Sequence, residues 1–214
     1  NWQSLYKDLK TETANRPREI EENLNLRFES AVNIESTELK NLIINDTPEA
    51  IIFQIHNSYI IIQVRSGMLI IDQQAAHERV MYDKFSHTLE KNFGASQQFL
   101  FPLSLELSTA DFDLVTELDQ QIHALGFSFS IFGKNTIVIN GIPSEVRAGN
   151  EISLFEGFLA QYKQYKSEMK LSVNESLARS IAKKSAIKKG TKLTKEEMAA
   201  LVEQLLSSQQ PSFA

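Results

Sequence analysis

The residues with the richest chemistry lie together from Asp72 to Asp83, in the order Asp-Gln-Gln-Ala-Ala-His-Glu-Arg-Val-Met-Tyr-Asp. They follow directly on the apolar run Met68-Leu69-Ile70-Ile71. A strand that ends in a carboxylate, then an alanine-rich helix carrying an imidazole and more carboxylates, is a layout that serves acid–base or metal chemistry. A plainer reading fits the same residues. Asp72 suits a helix N-cap, and Glu78 can pair with Arg79 or Lys84 beside it. A lone histidine such as His77 is more often a packing or surface residue than a ligand. His-Glu without a second histidine after it is not a zinc-peptidase motif.

The elements that must position these groups are legible on either side. Ile51 to Ile55, Tyr59 to Val64 and Met68 to Ile71 read as strands, with short polar turns at His56-Asn57-Ser58 and Arg65-Ser66-Gly67. That spacing predicts an antiparallel meander. Tyr59-Ile60-Ile61-Ile62 is apolar on both faces, so helices are expected on one side of the sheet and a second subunit on the other. A helix is expected from Gln74 to Glu90, with Met81, Phe85 and Leu89 as its buried stripe. Gln98 to Ser108 reads as a strand made an edge or broken strand by Pro102.

A continuous helix follows from Ser108, with Phe112, Val115, Ile122 and Leu125 on one face and Gly126 closing it. Phe127, Phe129 and Ile131, then Ile137 and Ile139, alternate across Gly133-Lys134-Asn135 as a hairpin. Another helix covers Glu151 to Tyr165. Leu177 and Ile181 sit on a helix stopped by Gly190. Thr194 and Glu197 form a capping box before the apolar face Met198, Leu201, Val202 and Leu205. Residues 1–47 are polar and aperiodic and read as a linker or loosely ordered arm, with one helix near Arg18 to Leu26 and Trp2 either docked or in an adventitious contact.

Bulk properties narrow the class. The chain has 214 residues, 42% hydrophobic and 23% charged, ordinary for a soluble globular protein that can bury one good core or two small ones. It has no cysteine, which excludes disulfides and thiolate metal sites and fits a reducing cytoplasm. A net charge of -5 argues against a strong autonomous grip on nucleic acid but leaves local basic patches open. No apolar run is long enough to span a bilayer, no signal peptide opens the chain, and the start at Asn1 rather than Met is expected of a piece of a longer protein.

Two stretches carry a family resemblance. The first is Gln54-x4-Tyr59-Ile60 with Gly67-x-Leu69-Ile70-Ile71-Asp72-Gln73-x-Ala75-Ala76-x-Glu78-Arg79; the second is Ser185-Ala186-Ile187-Lys188 with Leu193 and Glu197-Met198. Together they resemble the C-terminal domain of the MutL mismatch-repair proteins from about Ala50 to Ser212. The resemblance implies an α/β (α+β) fold. Its dimerisation subdomain is built from both ends of the domain, 48–95 and 168–214, with a smaller α/β subdomain, 96–167, inserted between them.

Many members carry Asp-Gln-His-Ala-x-x-Glu-x4-Glu, the signature of a metal-dependent nicking endonuclease. An acidic residue at the strand end and a His and Glu on one helix face can converge on a divalent cation, which activates water and steadies phosphate charge. Here Asp72 and Glu78 match. The histidine position holds Gln74, and the last Glu is Asp83. His77 is about 100° round the helix from Glu78 and does not simply replace the missing imidazole. The family's Ala-Cys-Arg corresponds to Ala182-Lys183-Lys184, and an ammonium there repels a cation; its Cys-Pro-His-Gly-Arg segment would fall past Ala214. The resemblance therefore implies a domain that dimerises and binds partners without nicking, and no cofactor in this stretch. The enzyme alternative would use Asp72 and Glu78, with Glu78, His77 and Asp83 as ligands for manganese or magnesium, or for zinc. A third reading is a generic α/β interaction domain.

Gln97-Gln98-Phe99-Leu100-Phe101-Pro102 resembles the sliding-clamp peptide of MutL proteins, in which Gln97, Leu100, Phe101 and Pro102 would make the contact. The alternative is that Leu100 and Phe101 pack inside a strand, with at least one of them in the core. Arg179, Lys183, Lys184, Lys188 and Lys189, with Lys192 and Lys195, form the densest positive run. They suit either DNA phosphates or, as the acidic balance favours, a solvated helix face. The resemblance further implies a homodimer, MutS and other mismatch-repair proteins as partners, weak non-specific DNA contact and no membrane. It also implies a bacterial, nucleoid-associated cytoplasmic setting and an ATP-binding region elsewhere in the full protein.

Overall fold

A computed structural model describes residues 51–64, 67–147, 149–169 and 171–208. The expected arm over 1–47, its short helix, Trp2 and the Arg65-Ser66 turn lie outside those residues. The described chain opens with three antiparallel strands, β1 (Ile52–Ile55), β2 (Tyr59–Val64) and β3 (Gly67–Asp72), in sheet order β1-β2-β3. The β1–β2 turn is tight because His56 and Asn57 both take positive φ.

Register fixes which side chains share a face. Ile52 opposes Ile62, Ile62 opposes Leu69, and Ile60 opposes Ile71. These residues pack with Ala76 and Val80 of α1 (Gln73–Lys91) and with Met198, Leu201, Val202, Leu205 and Leu206 of α6 (Lys195–Leu206). Each fully buried isoleucine here contributes on the order of 2 kcal/mol. The Thr194–Glu197 capping box is present at the start of α6.

The second sheet joins β4 (Ser96–Glu106), β5 (Ser128–Ile131) and β6 (Thr136–Pro143) in the order β4-β6-β5, all antiparallel. β4 is an edge strand and is also broken, as Pro102 predicts: its register shifts between Gln98 and Leu103. The helix expected from Ser108 to Gly126 is two pieces, α2 (Thr109–Glu117) and α3 (Asp119–Ala124). The Thr116 hydroxyl donates to the Phe112 carbonyl just before the joint at Leu118, a back-bond that bends helices. Gly126 closes α3 at φ +100°.

α4 (Glu151–Glu168) and α5 (Val173–Ser185) cover this sheet's core, in which Phe127 meets Phe155 edge-on at 5.2 Å. α5 ends at Ser185, earlier than the expected stop at Gly190. Ser185 Oγ bonds the Ile181 carbonyl, Ala186 turns extended, and Lys188 Nζ caps the carbonyl of Lys183 at 3.2 Å. Met81, Phe85 and Leu89 of α1 join this second core, so α1 is the wall common to both.

Candidate functional site

β3 runs straight into α1, so Asp72 is both the last strand residue and the helix N-cap. One carboxylate oxygen accepts the N–H of Gln74 at 2.9 Å and of Ala75 at 3.0 Å; the other lies 3.3 Å from Lys189 Nζ. Partial burial disfavours the charged form, but the bonds from Ala75, Lys189 and Gln74 outweigh it and hold Asp72 below its ordinary value.

His77 is pulled down to about 4, first by burial and then by the charges of Lys84 and Arg147. Its Nδ1 accepts the N–H of Ile187 at 3.0 Å, so it is a neutral acceptor with one ring nitrogen committed. Burial raises Glu78, against the opposing pull of Lys183, Lys188 and Arg179. Asp83 is paired with Arg79 at 2.7 Å, and the Arg79 and Arg179 guanidiniums lie 5.2 and 5.1 Å from the centre of the Tyr82 ring.

These donors do not fit a shared cation. Asp72 pairs with Lys189, Asp83 pairs with Arg79, and half-buried Glu78 lies in the field of Lys183, Lys188 and Arg179, so positive charge already acts on each carboxylate. Among the described residues no three His, Cys, Asp or Glu side chains are grouped to hold a metal ion. The helix does bring His77 and Glu78 close to the α5–α6 connection, but as parts of a joint.

That joint includes two residues whose role the sequence reading missed. Gln73 is fully buried, and its carbonyl oxygen accepts from the Gln54 amide. Both amides also donate to the Thr191 carbonyl, at 3.0 Å from Gln73 and 2.9 Å from Gln54. The N–H of Leu193 donates to Gln54 at 3.2 Å, and that of Gly190 to the Asn57 carbonyl at 2.9 Å. Gln54 breaks the apolar alternation on the core-facing side of β1, and that out-of-place polar residue was the available signal.

The basic run is largely spent on local contacts. Arg179 pairs with Glu175 at 3.2 Å, Lys183 Nζ sits 5.5 Å from the Tyr165 ring centre, and the Lys184 stem lies close over Gly157. Lys188 caps α5 and Lys189 meets Asp72.

Two apolar surfaces face outward. On the side of the first sheet away from α1, Phe53 opposes Ile61 and Ile61 opposes Ile70 across all three strands. Ile70 is 57% and Met68 62% exposed, while Ile61 in the centre is shielded. Among the described residues, α1 and α6 pack on the other face, and the expected second covering would lie on this one. The other surface is β4. Gln97 and Gln98 pair with β6, Phe99 packs against the core, and then the chain leaves the ladder. Leu100 is 86% and Phe101 77% exposed, and Pro102 is exposed as well. The expectation that Leu100 or Phe101 packs in the core is corrected: Phe99 fills that place, and the register break turns the next two side chains out.

The chain matches the family model described as the MutL C terminal dimerisation domain over residues 52–193. It is similar to proteins named DNA mismatch repair protein MutL. That of Chlorobium phaeovibrioides is 39% identical over 163 residues, 76% of this chain and 26% of the relative. That of Chloroherpeton thalassium is 40% identical over 163 residues, 76% and 26% of the two chains. That of Chlorobium chlorochromatii is 34% identical over 186 residues, 86% and 29%. The chain thus spans little more than a quarter of the length of these curated relatives.

Proposed function

The chain belongs to the MutL C-terminal dimerisation family, and from that premise we propose that it joins two copies of a mismatch-repair protein through the outer face of the β1–β3 sheet. The observation that carries this is the cross-strand apolar row Phe53–Ile61–Ile70, whose two ends are exposed on one side of a sheet whose other side is filled. A contiguous apolar face of that kind marks an interaction surface, and a two-fold contact lets one patch cover its own copy. In this reading 48–95 and 168–214 form the dimerising body, and 96–167 is an inserted unit that presents a partner surface. Sedimentation of the chain at micromolar concentration tests it: a dimer is expected, and a monomer overturns the reading.

The same protein is proposed to bind a DNA sliding clamp through Gln97, Leu100, Phe101 and Pro102. The exposed Leu100 and Phe101 support this, being two apolar anchors on an extended segment. Contacts to MutS, weak non-specific contact with DNA and a bacterial cytoplasmic, nucleoid-associated setting follow the family reading, as does an ATP-binding region outside this stretch. Nicking is not part of the proposal, because Asp72 and Asp83 are already ion-paired and Glu78 lies in the field of three cations. No helix among the described residues is long and apolar enough to cross a membrane.

A further inference from the structure

The break in β4 has its counterpart on the neighbouring strand. Gln98 opposes Gly141 and Leu103 opposes Ile139, so Phe99 to Pro102 all stand against the single residue Asn140. On the other side of β6, Ser128 opposes Gly141 and Phe129 opposes Ile139, so Asn140 is an extra residue there too. Both neighbours of β6 therefore lose register at one place, which is how a bulge re-aims side chains.

Gly141 is what lets the start of β4 lie there. A Cβ on it would meet Ser96 Oγ at 2.6 Å, the Gln97 carbonyl oxygen at 2.7 Å and Gln98 Nε2 at 3.0 Å. The Gln97 contact is backbone and cannot swing aside. Gln98 Nε2 donates to Ser96 Oγ at 3.0 Å directly over this glycine, closing the entry to the bulge.

We infer that Gly141, with Asn140 beside it, is the positioning element that ejects Leu100 and Phe101 from the sheet and holds them in a preformed shape for a partner's apolar pocket. The inference rests on the clamp-binding reading above. Holding a recognition segment in its bound shape strengthens binding by removing the cost of ordering it. The partner's side is thus a pocket that takes two adjacent apolar anchors from a kinked strand, not from a flexible tail.

The experiment measures affinity of the chain for a bacterial sliding clamp beside three comparators. Leu100→Ala with Phe101→Ala tests the underlying reading: unchanged affinity removes clamp binding itself. With that loss established, Gly141→Ala is expected to weaken binding about tenfold while dimerisation is kept. Affinity within about twofold of the parent in a folded Gly141→Ala chain overturns the inference. A linear peptide of residues 96–103 keeps the question decidable if Gly141→Ala does not fold. The peptide is expected to bind at least about tenfold more weakly than the intact chain, and equal affinity overturns the inference.

Discussion

His77 and Ile187 are 110 residues apart in sequence and joined by one hydrogen bond, from the Ile187 N–H to His77 Nδ1 at 3.0 Å. That bond is one of several by which the connection between α5 and α6 is fastened to the start of α1. Lys189 meets Asp72, Gly190 meets Asn57, and Thr191 and Leu193 meet the Gln54–Gln73 pair. The stretch that reads as a catalytic signature thus also holds the connection that leads into the C-terminal helix.

Burial of His77, with the charges of Lys84 and Arg147 beside it, makes stability depend on pH in a defined window. The folded-state pKa is depressed from 6.5 to about 4, so below 6.5 the unfolded chain takes up a proton that the folded chain refuses. Stability is therefore full above 6.5, falls between 6.5 and 4, and loses no more from this group below 4. At about 1.4 kcal/mol per tenfold change in proton affinity the ceiling is near 3 kcal/mol, which solvent reaching the partly exposed ring reduces to roughly 1–2 kcal/mol. His77→Asn keeps an acceptor near the Nδ1 position and cannot titrate. Urea unfolding from pH 7 down to about 3 is expected to show a shallower decline between 6.5 and 4 in that variant. A remaining decline below 3.8 belongs to carboxylates such as Asp72, whose lowered pKa makes its contribution vanish as pH falls through that lower range.

Gln54→Leu tests the buried amide pair. It strips a donor from the Thr191 carbonyl and an acceptor from the Leu193 N–H, and leaves Gln73 without its partner. Leaving buried polar groups unpaired costs about 1–3 kcal/mol. Equilibrium unfolding is expected to report a loss of that size. Amide exchange is expected to rise first at residues 191–193, ahead of the second sheet, which does not share these bonds. Uniform exchange across both cores would show that the pair does not seat α6.

How far the sequence could be read depended on whether local chemistry decided the outcome. Apolar runs between short polar turns located β1–β3, period-2 alternation located the Phe127–Ile139 hairpin, and the capping box located α6, because these signals act within a few residues. The split at Leu118 escaped, since the back-bond from Thr116 competes with a helical face that continues unbroken through Ile122. The exposure of Leu100 and Phe101 escaped because it is decided by Asn140 and Gly141, some forty residues away. The signature residues were found, but their partners Ile187, Lys189 and Thr191 are long-range, and it is those partners that separate a joint from a metal site.

Manganese offers a readout of that distinction that does not depend on activity. A cation that binds the folded state raises the melting temperature by mass action. Because Asp72, Asp83 and Glu78 each stand against positive charge, millimolar manganese is expected to leave the melting curve unchanged. A rise abolished by Asp72→Asn would instead revive the nuclease reading, and manganese-dependent nicking of supercoiled plasmid by the longer protein, lost in the same variant, would establish it.

The outer sheet face makes the sharpest demand. Ile70 is more than half exposed in a single copy yet sits at the end of the Phe53–Ile61–Ile70 row, so it would be desolvated in a two-fold contact. Its side chain points away from the core that α1 and α6 build, so Ile70→Asp leaves the monomer's packing intact. In the dimer it would place two unpaired carboxylates in an apolar interface, each costing several kcal/mol unless paired. Dissociation is expected to rise by at least about a hundredfold, near 2.7 kcal/mol, which is a hot-spot effect. Gln120→Asp, exposed on α3 and outside the first sheet, is the control and is expected to change little. Sedimentation of both variants beside the parent decides the matter: an Ile70→Asp chain that stays dimeric would place the interface on another surface.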